Sequence, residues 1–167
     1  MLGTKLNQRD NSSVSTYCLQ STIAIPAVNG AVSPQQSLEL LWAALTDFPN
    51  WQQWLPDTSS IELVDADPAA RGTHLNLHSN RGSESWEISY WDPVKRMVFQ
   101  IQKGSRHSAC AFEIRHAGED ALELTLEFEM ELTGFRRLFG PILNRMQLRH
   151  TRRLEAALQS WLVSRLQ

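Results

Sequence analysis

His150 is the side chain whose type and position most directly suggest chemistry. Helical spacing puts it close to the middle of an apolar stripe, one turn from Met146 and one turn from Leu154. An imidazole there can hydrogen-bond a ligand carbonyl, or act as a general acid or base near neutral pH. Arg149 lies toward the edge of the stripe and could add a donor. The position also suits a histidine that is satisfied in the core or at a helix–sheet rim, so both interpretations stay open.

Tyr90 is the second candidate. In "SWEISYW", residues 85 to 91, strict alternation puts it on the same strand face as Trp86 and Ile88. A hydroxyl on that face could donate to a ligand oxygen, whereas a tyrosine hydroxyl at a sheet edge is commonplace. Tyr90, His150 and Arg149 are therefore the candidate catalytic groups, and they would supply donors and a proton relay.

The sequence contains no recognisable motif for a metal site, a cofactor site or a catalytic nucleophile. His74 and His78 are four residues apart in a segment that reads as a strand, and this spacing separates them by about 13 Å. Cys18 and Cys110 are isolated, which argues against a metal site or a disulfide framework and favours a reducing cytoplasm. No Ser-His-Asp set, phosphate-binding glycine loop or nucleotide fingerprint is recognisable. We predict no metal and no cofactor.

Composition indicates a globular, soluble protein. The 167 residues are 42% hydrophobic and 20% charged, so neither a disordered nor a fibrous protein is indicated. A net charge of −2 argues against a nucleic-acid binder. The longest purely apolar run, residues 40 to 45, is far shorter than the roughly 20 residues that span a bilayer. Residues 1–16 are polar and predict a flexible tail, and residues 17–167 predict a single ligand-binding domain.

The first half of that domain predicts a strand and two short helices. Residues 17 to 25 mix β-branched and aromatic types and end at Pro26. Ser33, Pro34 and Gln36 then form a helix-start signature, and the apolar periodicity that follows continues to residue 48. The stretch "DFPNWQQWLPD", residues 47 to 57, predicts a second short helical piece, with Trp51 assigned to packing and Trp54 to a pocket.

A meander of six strands and a long helix complete the chain. The strands are predicted over residues 61–66, 73–79, 85–91, 96–102, 107–116 and 121–133, with turn residues at each joint. The last strand alternates leucine, phenylalanine and methionine with glutamate, which predicts a buried face and a solvated acidic face. From Gly134 the pattern is helical. The prediction is an α+β fold, with a curved seven-stranded antiparallel sheet wrapped around a long C-terminal helix.

Four stretches carry a resemblance to a known superfamily: "IAIPA", "LWAALTDFPNWQQWLPD", "WEISYWDPVKRMVFQ" and "LTLEFEMELTG". Their order over residues 17–163 resembles SRPBCC, the helix-grip superfamily that includes START lipid-transfer domains and pollen-allergen-type ligand binders. The helix pair and the "WDP" hairpin resemble its bacterial polyketide cyclase/dehydrase-like branch. Residues 27–36 lengthen the link between the first strand and the first helix, which departs from the usual pattern.

The resemblance implies a cavity between the sheet and the last helix, and alternation indicates which side chains would line it. A mostly apolar wall suits a small hydrophobic or amphipathic ligand, lipid-like or polyketide-like. The alternative is a dry core built from the same residues. The predicted ligand-binding residues are Trp54, Leu75, Leu77, Trp86, Ile88, Tyr90, Met97, Phe99, Ile101, Phe112, Phe128, Met130, Phe139, Ile142, Met146 and His150.

Three functions follow as expectations. The first is binding of a small hydrophobic ligand without covalent chemistry. The second is a cofactor-independent polyketide cyclase or dehydratase that uses Tyr90 and His150, and the third is a protein-interaction module without a ligand. No nucleic-acid partner is expected. Phe135 and Phe139 flank two arginines in a pattern that interfacial helices use, but a solvated face is the favoured interpretation over membrane contact.

Overall fold

The computed structural model defines the limits of eight strands, one α-helix and one 3-10 helix, and it describes part of one further helix. The structure describes residues 5–11, 14–26, 33–64, 68–80, 82–104, 106–118, 121–133, 149, 152–162 and 164. The strands are β1 Lys5–Asn11, β2 Val14–Pro26, β3 Thr58–Leu63, β4 His74–Ser79, β5 Gly82–Asp92, β6 Arg96–Lys103, β7 Arg106–His116 and β8 Ala121–Thr133. Helix α1 is Pro34–Thr46, a 3-10 helix covers Phe48–Gln53, and the described C-terminal helix α2 is 152–162.

All eight strands belong to one antiparallel sheet in the order β1-β2-β8-β7-β6-β5-β4-β3. From β3 to β8, each strand pairs with the next strand in sequence, as the turn-separated alternating runs predict. β2 pairs instead with the last strand. The chain therefore passes from β2 to the far end of the sheet through α1 and the 3-10 helix, which puts both helices in position to cover the sheet. The described elements confirm the α+β class.

The start of α1 confirms the helix-start signature. Ser33 Oγ accepts a hydrogen bond from the Gln36 backbone N–H over 3.2 Å, and Gln36 Oε1 accepts one from the Ser33 N–H over 3.0 Å. Pro34 occupies the first turn, where its missing N–H loses no helical bond. The helix then buries a stripe of apolar side chains against the sheet: Leu38, Leu41, Trp42 and Leu45.

The alternation of β8 also has the predicted result. Leu122, Leu124 and Leu126 are buried, whereas Glu123 and Glu127 on the opposite face are only half-buried. Residues directly opposite each other in antiparallel strands share a face, so Phe112 of β7, which pairs with Leu126, also points into the core. From α2, the core receives Leu154, Leu158, Trp161 and Leu162.

The predicted flexible tail is wrong for most of its length. Residues 5–11 form β1, which pairs in register with residues 14–20 of β2, and the sheet therefore has eight strands rather than seven. A strand at the end of a sheet can be held by backbone hydrogen bonds alone, so it needs no apolar alternation. Residues 5–11 show none, and the sequence therefore did not reveal this strand. Residues 27–32, which include most of the lengthened link, lie outside the described residues. That residues 17–167 form one domain stays a prediction.

Candidate functional site

An aromatic cluster lies between the sheet and the helices. We define it by its members, which come from the 3-10 helix segment, three strands and α2: Phe48, Trp51, Trp54, Trp86, Phe99, Phe112 and Trp161. Trp51 is at its centre, with its ring centroid 5.1 Å from that of Trp54, 5.4 Å from Phe112 and 5.5 Å from Phe99. Every member is less than a tenth exposed, so the cluster excludes water from this part of the interior.

Trp51 and Trp54 come together in the cluster because of the local geometry. A 3-10 helix has three residues per turn, so side chains three positions apart lie on the same side. Trp51 is in that helix and Trp54 is its C-terminal cap residue, and both indoles consequently turn toward the sheet. Their exposed fractions are 0% and 2%.

The two indoles differ in their hydrogen bonding. Trp51 Nε1 donates to the Leu45 carbonyl over 2.9 Å, Trp161 Nε1 to Gln53 Oε1 over 3.0 Å, and Trp86 Nε1 to Glu84 Oε2 over 3.2 Å. Trp54 Nε1 is shielded from solvent and has no hydrogen-bond partner among the described residues. A buried tryptophan N–H usually finds an acceptor. Trp54 Nε1 is thus the one indole N–H of the cluster that has no acceptor in the described part of the chain.

Most of the side chains predicted to form the apolar wall, among those that the structure describes, are buried. Nine predicted residues are buried: Trp54, Leu75, Leu77, Trp86, Ile88, Met97, Phe99, Ile101 and Phe112. Phe128 and Met130 are half-buried, and Phe128 packs against the core. Burial places these side chains on the inner face. Contact with a ligand, as opposed to dry packing, stays a prediction.

The predicted inward orientation of Tyr90 is wrong. Its side chain is 49% exposed. The pairing of β5 with β6 shifts between Ile88 and Tyr90, so Ser89 is an extra residue and Tyr90 pairs with Val98. The shift turns Trp91 inward instead, opposite the buried Met97 and with its ring centroid 5.0 Å from that of Trp42.

The remaining candidates are on the C-terminal segment. Phe139, Ile142, Met146 and His150 lie outside the described residues, so their predicted roles stay predictions. Arg149 is helical and exposed. Exposure separates its side chain from the buried aromatic cluster, and the structure does not bring Arg149 and Tyr90 into the interior together.

Sequence reasoning missed Glu155, a buried carboxylate on α2. It is 7% exposed, and its Oε1 atom is shielded and has no hydrogen-bond partner within the described part of the chain. A signal was present: Glu155 precedes Leu158 by three residues and Leu162 by seven, so helical spacing puts it at the border of the apolar stripe. A charged residue at that border is most simply interpreted as solvated, so the sequence alone does not single out Glu155.

The outer face of the sheet carries paired charges. Arg96 donates to Glu113 over 3.0 Å and to Glu127 over 3.2 Å, and thereby joins β6, β7 and β8. His74 and His78 are about two-fifths exposed and lie 3.9 Å from Glu87 and Glu62 respectively. Within the described ranges, no three His, Cys, Asp or Glu side chains gather closely enough to hold a metal ion.

Cys110 is the titratable group with the clearest perturbation. It is fully buried in β7, between Phe99 of β6 and Phe128 of β8 in the strand register. Burial raises the pKa of its thiol well above the ordinary value, and the negative charge of Glu127 raises it further. The thiol therefore stays protonated at neutral pH, which makes it a packing group and a poor nucleophile.

Most of the chain matches one protein family. The family model described as "Polyketide cyclase / dehydrase and lipid transport" matches residues 28–160. No curated protein matches the sequence. In the part of the chain that the structure describes, no helix is both long and apolar enough to cross a membrane.

Solved structures of this architecture resemble the chain at low sequence identity. A START superfamily protein from Mycobacterium smegmatis has a TM-score of 0.65 at 16% identity, covering 88% of this chain and 97% of its own. The Zhui aromatase/cyclase from Streptomyces has a TM-score of 0.66 at 13% identity, covering 91% and 96%. Thalictrum norcoclaurine synthase has a TM-score of 0.65 at 12% identity, covering 92% and 98%. These likenesses confirm the helix-grip fold, and the family match over residues 28–160 confirms the resemblance to the polyketide cyclase/dehydrase-like branch of SRPBCC.

Proposed function

Because the chain belongs to the polyketide cyclase/dehydrase and lipid transport family, we propose that it binds a small hydrophobic or amphipathic ligand between the sheet and the C-terminal helix. The ligand is lipid-like or polyketide-like, and binding proceeds by burial and orientation without covalent chemistry. A cytoplasmic location, indicated by the isolated cysteines, belongs to the same proposal.

The unpartnered N–H of Trp54 is the observation that carries the proposal. The donor is surrounded by aromatic rings, and a buried polar group without a partner costs about 1–3 kcal/mol. A ligand carbonyl or ether oxygen that accepts from Nε1 removes that cost, while its apolar body contacts the surrounding rings. Because the rings already contact one another, ligand entry requires the aromatic cluster to rearrange.

Matched probes test this proposal. We expect a medium-chain methyl ketone to bind and to change tryptophan fluorescence, and an alkane of equal length to bind more weakly. Trp54→Phe keeps a ring but removes the donor, so affinity for the ketone should fall roughly three- to tenfold, while affinity for the alkane stays within twofold. Trp91→Phe is the matched control, because its indole packs against Trp42 away from Trp54.

Two results would contradict the proposal. The first is that neither probe binds and that native mass spectrometry of the purified protein detects no co-purified small molecule. The second is that the ketone binds equally well to wild type and to Trp54→Phe, which would remove Trp54 from the site.

The enzyme alternative has less support from the described residues. It relied on Tyr90 and His150 in the pocket, and Tyr90 is on the outer face. A cyclase or dehydratase would need another side chain in place of Tyr90, and the role of His150 in such an enzyme stays a prediction.

A further inference from the structure

Glu155 is a buried carboxylate on the core-facing side of α2. Its residue is 7% exposed, whereas the charged and polar residues around it on the helix, Arg152, Arg153 and Gln159, are exposed. Glu155 Oε1 has no hydrogen-bond partner among the described residues. Charged side chains are almost never fully buried unless they are paired. Oε1 is therefore an acceptor for which the described chain provides no donor.

The described part of α2 does not supply this partner. Within the described part of α2, the side chains with donors nearest to Glu155 at helical spacing are Arg152, three residues before it, and Gln159, four residues after it. Both extend into solvent, and neither bonds to the shielded oxygen. An apolar residue would fit the border of the stripe at lower cost, because a buried acceptor without a donor carries its full desolvation penalty.

Glu155 lies on the same helix as Trp161, the member of the aromatic cluster that α2 contributes. Leu158 and Leu162, three and seven residues further on, are both in the hydrophobic core. Trp161, six residues after Glu155, is about 9 Å further along the helix axis at 1.5 Å per residue. The ring centroid of Trp161 lies 6.0 Å from that of Trp54, whose N–H is the other buried side-chain group without a partner among the described residues. Helix α2 thus carries both Glu155, whose Oε1 has no donor, and Trp161, whose ring lies near Trp54. The Nε1–H of Trp54 has no acceptor among the described residues.

We propose that Glu155 determines ligand specificity by accepting a hydrogen bond from a hydroxyl or amine of the ligand. This inference rests on the proposed function, since it concerns the same site. The ligand is then an elongated amphipathic molecule with an oxygen acceptor at the Trp54 end and a hydrogen-bond donor at the Glu155 end. A ligand with a carboxylate in place of the donor is rejected, because it would bring a second negative charge beside Glu155.

Medium-chain probes of equal length test this inference: an alcohol, an amine, a carboxylic acid and the methyl ketone. We expect wild type to bind the alcohol and the amine at least tenfold more tightly than the acid. Glu155→Met should reduce affinity for the alcohol and the amine roughly ten- to hundredfold, the range expected for a hydrogen bond to a charged group, and leave the ketone within twofold. Glu155→Gln retains an oxygen acceptor without the charge, so it should bind the alcohol nearly as well as wild type and lose its rejection of the acid.

A stability measurement gives an independent readout. Glu155→Met removes an unpaired buried acceptor, so its melting temperature should exceed that of wild type by about 3 °C while binding is lost. A purely structural carboxylate would behave oppositely, since its removal would lower the melting temperature. If Glu155→Met does not fold, the acid rejection of Glu155→Gln decides the question.

The outcomes separate this inference from the proposed function. If the ketone binds but the alcohol, amine and acid do not discriminate between wild type and the two Glu155 variants, the role of Glu155 is wrong and the hydrophobic site stands. If neither the ketone nor the alkane binds to wild type and native mass spectrometry detects no co-purified small molecule, the proposed function itself is wrong.

Discussion

The indole N–H of Trp51 donates a hydrogen bond to the Leu45 carbonyl across 2.9 Å, and this bond links the last turn of α1 to the 3-10 helix. Leu45 belongs to the last four helical residues, whose carbonyls have no partner within the helix. The bond therefore satisfies a buried acceptor and fixes the ring at the centre of the aromatic cluster. Trp54, three residues later, has no such anchor.

This difference predicts unequal effects of the same substitution at the two positions. Trp51→Phe and Trp54→Phe remove the same atoms, but only the first leaves a carbonyl without its donor. We expect Trp51→Phe to lower the free energy of unfolding by about 1–3 kcal/mol more than Trp54→Phe does. Urea unfolding followed by circular dichroism measures both. Equal losses would mean that the bond to Leu45 contributes nothing to stability.

The buried thiol of Cys110 predicts that the free energy of unfolding decreases at high pH. Its raised pKa means that the folded protein holds the thiol proton more tightly than the unfolded chain does. This contribution is fully present below the unfolded thiol pKa of about 8.5 and is lost as pH rises beyond it, by at most about 1.4 kcal/mol per pH unit. Urea unfolding between pH 7 and pH 10.5 should therefore show a steeper decline for wild type than for Cys110→Ala. Parallel profiles would argue against the raised pKa.

The backbone conformation of Val94 predicts that glycine at this position stabilises the protein. The turn between β5 and β6 closes with a hydrogen bond from the Lys95 N–H to the Asp92 carbonyl over 3.1 Å, and Val94 has a φ of 68°. Such a conformation is strained for a β-branched residue and is favourable for glycine. Val94→Gly should raise the free energy of unfolding by about 1 kcal/mol, because relief of strain exceeds the loss of partial packing. Val98→Ala in the adjacent strand, where no such strain is relieved, is the control and should be destabilising. A loss of stability in Val94→Gly would show that packing dominates at this turn.

The parts of the fold that depend on local sequence were predictable. The alternation of β8 decides which of its faces is buried, and the residues around Ser33 are sufficient to begin α1. The face of Tyr90 was predicted wrongly because the extra residue at Ser89 is a property of the pairing between β5 and β6. Alternation along one strand contains no information about where its partner skips a residue.

The candidate site was predictable only in its apolar part. Burial of Phe99 and Phe112 follows from strand period, whereas the hydrogen-bond partner of an indole depends on chain segments that come together only after folding. No pattern around Trp51 and Trp54 distinguishes the bonded N–H from the unbonded one. Glu155 was visible on a helical wheel, but its burial depends on how α2 sits on the core.

β1 has a consequence for how the protein behaves in a crowded solution. It occupies the outermost position beside β2 and pairs with residues 14–20, so those backbone groups are already saturated. The 7 residues of β1, "KLNQRDN", contain three charged residues and a single aliphatic one. An edge of that composition is a poor template for strands of other molecules, and it therefore guards the sheet against self-association into aggregates.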